Sequence, residues 1–273
     1  MISSTCLPIT DPQNQWRYCP SVVVALIFGI LFLAVTIAHI AQSLRPFRPF
    51  CIVIIIGALW ETAAFLFRIL SAKSPTNKAA YDASFLLVLL APVCINAFDY
   101  MIVSRIVKAF LLDGRVLGLK RSILGKLFVC SDLVSFVIQI AGGLMSLSKT
   151  TKTATHGIHI VEAGLIFQGA LIIYFFCLTI RLIIILRHSM LHNATYRRLR
   201  LQINAVQFSL LLIMYRIIYR LVEFTSPPGS PRSNYIDGHE WTVYVFDAGP
   251  MFLAIIVMNI WHPGNALVKN NEI

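Results

Sequence analysis

The chain has 273 residues, 58% of them hydrophobic and only 13% charged, with a formal net charge of +11. Soluble globular domains carry about 25% charged residues, so this composition excludes a chain built of soluble domains and indicates a membrane protein. The basic excess sits in short loops between apolar runs, where it reads as an orientation signal and a contact for anionic lipid, not as a nucleic-acid surface.

Residues 1–21 form a polar tail with three prolines, unlike a cleavable signal peptide, so the first span is expected to act as its own targeting signal. Cys6 and Cys19 lie in this tail, and an outward-facing tail would allow a disulfide between them. Cys51, Cys94, Cys130 and Cys177 each fall in a different apolar run and read as small apolar residues without metal spacing. Seven runs meet the requirement of about 20 apolar residues for a spanning helix, over 22–42, 50–70, 84–107, 127–147, 158–186, 201–223 and 241–261. Each is apolar all round, whereas barrel strands alternate every second residue, so the expected fold is all-α, a bundle of seven transmembrane helices. One membrane domain over 22–262 follows, with a tail at 263–273. Turn-forming clusters separate the runs at "RPFRP", "KSPTN" and "SPPGSP". Pro92, within the third run, is expected to free a backbone carbonyl and kink that helix. Gly142 and Gly143 in the fourth read as sites of close helix approach.

Orientation follows from Lys and Arg. Arg17, Lys73, Lys78, Lys149, Lys152 and Arg232 flank the spans on one side. Arg45, Arg48, Lys108, Arg115, Lys120, Arg121, Lys126, Arg187, Arg197, Arg198, Arg200 and Lys269 lie on the other, twice as many. That excess places the second set in the cytoplasm, with the amino terminus outside and the carboxyl terminus inside. The acceptor tripeptide Asn193-Ala194-Thr195 then falls in a cytoplasmic loop and reads as unused. The mixed apolar and basic loop at 108–126 reads either as a solvated loop or as a contact with the anionic inner leaflet.

Six of the twelve acidic residues, Glu61, Asp99, Asp132, Glu162, Glu223 and Asp247, fall within predicted spans. A lone charge near the bilayer centre costs at least about 2.5–3.5 kcal/mol, so such groups face other helices or a cavity and have partners. Arg68, Arg105, Arg216 and Arg220 supply the opposite sign. Arg216, Arg220 and Glu223 share one helix face, and Glu223 can pair with Arg220 one turn away. Arg216 then needs an acid from another helix, for which Asp247, Glu61 and Glu162 are candidates. Asn96, Gln139, Gln168 and Gln207 add amides at depth, suited to interhelical hydrogen bonds. Locking the helices together accounts for any single one of these groups, buried pairs being poor stabilisers but able to fix register.

The order of these polar residues resembles the fungal lipid-translocating exporter family, seven-span proteins that include sphingoid long-chain-base translocators and aminocholesterol-resistance proteins. The second span carries Glu61, Phe65 and Arg68 like the family's E-x-x-G-Y-x-x-R, with Ala64 in place of the glycine. The third carries Ala91-Pro92, Ala97, Tyr100 and Arg105, with Ser104 replacing a glycine and Asp99 an addition of this chain. "SDLVSFVIQIAGG" at 131–143 is similar to D-x-x-S-x-x-x-Q-x-x-G-G through Asp132, Ser135, Gln139, Gly142 and Gly143. Gly157, Gly164, Leu165 and Gln168 follow in the fifth span. Arg216, Arg220, Glu223, Phe224, Glu240, Tyr244, Phe246, Asp247 and His262-Pro263-Gly264 complete the pattern. The resemblance implies a plasma-membrane or endomembrane protein that moves sphingoid bases or similar amphipathic lipids and confers resistance to them, and on that footing the ionic clusters are expected to form a polar track for a lipid headgroup, with acids able to hold a cationic amine.

Neither a cofactor nor a nucleotide is called for, since no G-x-x-x-x-G-K-[ST] loop occurs. A seven-span receptor is the first rival, although the chain ends its last span in "NIWHPG" without the motif of the common receptors. A retinal protein would need a lysine in the seventh span, which holds Asp247 instead. A metal-dependent lipid hydrolase would draw its ligands from His156, His159 and His239 near Glu162, Glu240 and Asp247.

Overall fold

The computed structural model describes residues 6–8, 11, 13–44, 49–110, 115–116, 118–120, 123–146, 150–190, 194–226 and 230–261. Arg45 and Arg48, Asn193 of the acceptor tripeptide, the His262-Pro263-Gly264 motif and the tail from 263 lie outside them.

The helices are α1 (Val22–Leu44), α2 (Ile52–Lys73), α3 (Lys78–Phe110), α4 (Leu124–Ser146), α5 (Thr151–Met190) and α6 (Ala194–Thr225). A short α7 (Pro231–Gly238) follows, then α8 (Trp241–Val243), a π-helical turn (Tyr244–Ala248) and α9 (Gly249–Ile260), which together make the seventh span. Seven helices are long and apolar enough to cross a membrane, and all seven predicted spans fall on them. The fold is therefore the expected all-α bundle. Most helices run several residues past the apolar segments, because a backbone that leaves hydrocarbon as a helix keeps its hydrogen bonds through the interface.

Local sequence explains the irregular pieces. In the loop after α6, Ser230 accepts a hydrogen bond from the Ser233 N–H at 3.2 Å and Pro231 opens the helix, so α7 has a polar cap and a fixed first φ. Between α3 and α4, Arg115–Val116 pairs antiparallel with Leu119–Lys120, and Gly118 takes a positive φ of 79° in the turn. In the seventh span Pro250 cannot donate to the carbonyl four residues back, and the preceding turn widens to π geometry.

Sequence neighbours pack side by side, and α9 contacts both α6 and α1, closing the ring. Helix α3 is the most enclosed and also touches α5, α6 and α9. The outer faces carry Ile30, Val137, Leu144, Ile166, Ile173 and Ile218, all well exposed, while Glu61, Asp99, Asp132, Arg216, Arg220 and Asp247 are buried. Apolar side chains outside and ions inside is the arrangement that a hydrocarbon solvent requires. Within the bundle, Phe28, Phe32, Phe65 and Tyr244 stack between α1, α2 and the seventh span, and Tyr100, Phe128 and Phe175 form a second aromatic group between α3, α4 and α5.

The α4–α5 crossing is set by glycine. A Cβ on Gly157 would lie 2.4 Å from the Ser146 backbone nitrogen, and one on Gly142 would lie 2.7 Å from the Gly157 carbonyl oxygen. Gly143 meets nothing within 4 Å, so only the first glycine of the pair makes the close approach read from sequence. Gly157→Ala is expected to push the helices apart and destabilise the protein by about 1–3 kcal/mol. Thermal unfolding in detergent should show this loss while Gly143→Ala stays near wild type; equal effects would contradict the crossing described here.

Candidate translocation site

The polar groups gather in three places. The first joins α3, α6 and the seventh span. Pro92 has no N–H to offer the carbonyl of Val88, one turn earlier in α3. Arg216 Nη2 donates to that carbonyl at 3.0 Å. The same guanidinium donates through Nε to Asp247, and Arg220 donates to the other Asp247 oxygen. Arg220 also donates to Glu223 at 2.9 Å, the one-turn pair expected from sequence. Asp247 is thus the acid that Arg216 needed. It sits in the π-helical turn, fully buried.

Glu61 on α2 lies close enough to interact with the charges of Asp247, Arg216 and Arg220. It is 1% exposed, and neither carboxyl oxygen has a hydrogen-bond partner among the described residues. Glu162, the third candidate, is elsewhere: it pairs with His159 at 3.1 Å on an exposed part of α5.

The second group lies toward the end of the bundle that carries the amino-terminal tail. Arg68 donates to Tyr18 at 2.7 Å, to the Tyr244 hydroxyl at 3.2 Å and to Glu240 at 3.3 Å. Glu240 also accepts from Tyr244 at 2.9 Å and from the Ser21 N–H at 2.8 Å. The Trp16 ring covers the guanidinium at 4.8 Å, and its indole N–H donates to Ser71 at 3.0 Å. Burial raises the Tyr18 phenol above its usual range and Arg68 opposes that shift. Cys6 and Cys19, whose pairing the sequence leaves open, form a disulfide with Cα atoms 5.4 Å apart, which closes the loop that carries Trp16 and Tyr18. The sequence pattern gives Arg68 and Glu240 no particular partner and gives the tail no role. The Trp16 and Tyr18 pair was the available signal, since aromatic residues with polar tips belong at such a boundary.

The third group lies deeper. Asp132 on α4 accepts from Asn96 at 2.8 Å and from the Tyr100 hydroxyl at 3.0 Å, both on α3. Asp99 is fully buried beside Ser209 of α6, with no hydrogen bond of ordinary geometry to either carboxyl oxygen among the described residues. Arg105 lies with its guanidinium 4.2 Å from the centre of the Phe50 ring.

Gln139 and Gln168, from α4 and α5, join the first group along a narrow cleft. Its walls are Leu89, Pro92, Val93, Phe136, Leu165 and Phe224, and its polar lining is Gln139, Gln168, Arg216 and Arg220. No carboxylate lines it among the described residues; Asp247 and Glu223, which pair with its two arginines, are not part of its lining. Gln139 donates to Gln168 at 3.1 Å. The histidines proposed as metal ligands are apart: His159 pairs with Glu162, His239 stacks on Tyr235 at 4.2 Å, and no metal-binding group of three His, Cys, Asp or Glu residues forms among the described residues.

A closed ring of seven spans with inward charges and an apolar-walled cleft defines a helical membrane protein built around a polar interior. The RTA1 like protein family model matches residues 54–270, and the chain belongs to that family. It is 32% identical over 284 residues to the probable lipid transporter atnI of Emericella nidulans, covering 97% of this chain and 74% of the relative. It is 29% identical over 282 residues to protoporphyrin uptake protein 1 of Saccharomyces cerevisiae, covering 90% of each chain. It is 26% identical over 283 residues to the sphingoid long-chain base transporter RSB1 of Saccharomyces cerevisiae, covering 90% of this chain and 71% of the relative. No solved structure matches the chain significantly.

Asp247→Asn leaves two buried guanidinium groups short of charge, a loss of about 3–5 kcal/mol. Detergent-solubilised protein is expected to melt well below wild type, and adding Arg216→Met should recover part of the loss by removing one unpaired cation. An unchanged melting temperature in the single variant would contradict the pairing.

Proposed function

We propose that this chain is a transporter, not an enzyme, and that it moves amphipathic lipid-like molecules across the bilayer with the headgroup passing along the buried polar groups. Sphingoid bases are among the cargoes to be tested, because one relative is named for their transport. The observation that carries the reading is the cleft between α3, α4, α5 and α6, where Gln139, Gln168, Arg216 and Arg220 meet walls of Leu89, Val93, Phe136 and Leu165. Polar groups beside apolar walls suit a molecule with a polar head and an apolar body. The functional set comprises the cleft groups together with Glu61, Asp132, Glu223 and Asp247 along the interior, Asp99 deeper in, and Arg68 with Glu240 toward the tail end. Glu162 belongs to the periphery of this set, given its exposed pairing with His159.

Leu89→Trp places an indole in the cleft without touching the ion pairs. In vesicles containing the purified protein, movement of a fluorescent long-chain amphiphile between leaflets is expected to fall at least about tenfold, the rate equivalent of about 1.4 kcal/mol. The variant should reach the membrane and keep its melting temperature. Wild-type movement in a folded variant would refute the cleft as the route.

The plasma membrane is the proposed location. The amino-terminal tail lies outside and the basic loops lie against anionic inner-leaflet lipid, from the Lys and Arg bias and the disulfide in the tail. A membrane-impermeant biotin reagent on intact cells should label a lysine introduced at Gln13, which is exposed, and not one at the exposed Leu201 end of α6. The opposite labelling would reverse the topology.

A further inference from the structure

The charges of the first polar group can be counted. Arg216 pairs with Asp247, and Arg220 pairs with Asp247 and with Glu223, so two guanidinium groups face two carboxylates. Glu61 of α2 is a third acid beside them. The charged groups that act on it are Asp247 from the seventh span and Arg216 and Arg220 from α6. Helix α1 presents the Thr36 hydroxyl to Thr62, the next residue of α2, while its His39 donates to the Ile255 carbonyl at 3.2 Å. From α3, the Asp99 carboxyl lies beside Ser209 of α6.

Glu61 is 1% exposed, and both of its carboxyl oxygens are buried without a hydrogen-bond partner among the described residues. In the same group Arg220 Nε is a buried donor in the same condition. An ionised carboxylate and an unmatched guanidinium N–H, acting on one another in an interior closed to solvent, would close into a charge-assisted hydrogen bond. That the two stand unjoined fits a Glu61 that holds its proton. The charge count agrees. With Glu61 neutral, the five side chains carry no net charge, which is what a site without water requires.

We propose that Glu61 is the proton-binding site of this chain and that its proton is exchanged for the cationic head of an amphiphile. The inference rests on the transport reading above and adds what drives the movement. Loss of the proton from Glu61 to water leaves a carboxylate, which draws Arg220 through its unmatched Nε. Arg220 then turns from Glu223, the more open of its two acids, with a side chain 23% exposed against 1% for Asp247. An ammonium head takes up the Glu223 carboxylate in its place. One positive charge enters as one proton leaves, so the five side chains and the head together stay neutral and no step leaves an unpaired charge in the bundle. Return of the proton to Glu61 sends Arg220 back to Glu223 and expels the head. A neutral or anionic head cannot stand in for the proton in this exchange.

The probe is dodecyltrimethylammonium, a permanent cation that carries no proton of its own. Added to the purified protein in nanodiscs of neutral lipid, in weakly buffered solution with a pH indicator, it is expected to release about one proton per bound cation, and its affinity should rise about tenfold per pH unit while Glu61 is protonated, as linkage requires. Glu61→Gln keeps the shape of the neutral acid and should melt near wild type, yet bind the cation with no proton release and with an affinity independent of pH. Glu61→Asp, which keeps a titrating group, should retain the release. Wild-type binding without proton release, or equal release from Glu61→Gln, overturns the proposal. A large fall in the melting temperature of Glu61→Gln, the sign of an ionised Glu61 supporting the arginines, overturns it as well. If the fluorescent amphiphile moves between leaflets and Leu89→Trp stops it, while an imposed pH gradient changes nothing, transport stands and only the coupling is wrong. If wild type moves no amphiphile, the transport reading itself fails.

Discussion

A guanidinium inside a helix bundle brings a full charge and five N–H donors into a place without water, and the structure around Arg216 is arranged to answer that demand. One donor meets the Val88 carbonyl that Pro92 leaves without its helical partner. A second meets Asp247, which sits in the widened turn preceding Pro250. The two proline irregularities are thus joined by one side chain, and α3, α6 and the seventh span are fixed to one another at that point. Each orphaned backbone or charged group is expensive alone in hydrocarbon, and together they satisfy most of one another's needs.

The same economy separates the polar groups by role. Asp132 is surrounded by Asn96 and the Tyr100 hydroxyl, and reads as a junction between α3 and α4. Arg68 is saturated by Tyr18, Tyr244 and Glu240 and covered by Trp16, which fastens the amino-terminal tail over the end of the bundle. Arg216, Arg220, Gln139 and Gln168 line the narrow cleft between α3, α4, α5 and α6. Buried ion pairs contribute little net stability compared with apolar packing, so this group serves the fold more by fixing how α6 and the seventh span meet than by adding free energy.

Much of this was legible in the sequence because hydrocarbon is a strict solvent. Long apolar runs had to be helices, and the ions within them had to face inward. The i, i+4, i+7 spacing of Arg216, Arg220 and Glu223 gave their shared face, and the Arg220–Glu223 pair followed from it. Which acid meets Arg216 was not legible, since Glu61, Glu162 and Asp247 lie at comparable depths and helix rotation decides among them. Pro250 was overlooked beside Pro92, although Gly249-Pro250 in mid-span signals a distorted turn. Composition does not say which way the acids face; the rotation of α6 and the seventh span sets Asp247 and Glu223 against the arginines and out of the cleft lining. The tail's contacts with Arg68 depend on a fold-back across the bundle end, which no periodicity reports.

The central claim is that Arg216 links the Val88 carbonyl, which Pro92 leaves free, to Asp247 beside a cleft that takes a lipid headgroup. A cryo-electron microscopy structure of the protein in nanodiscs with a long-chain amphiphile present tests it directly. Density for the headgroup between Arg216 and Gln168, with its tail running past Leu89 and Phe136, is the result expected. Lipid bound elsewhere, with the cleft closed by side chains and Arg216 turned away from the Val88 carbonyl, would contradict the account.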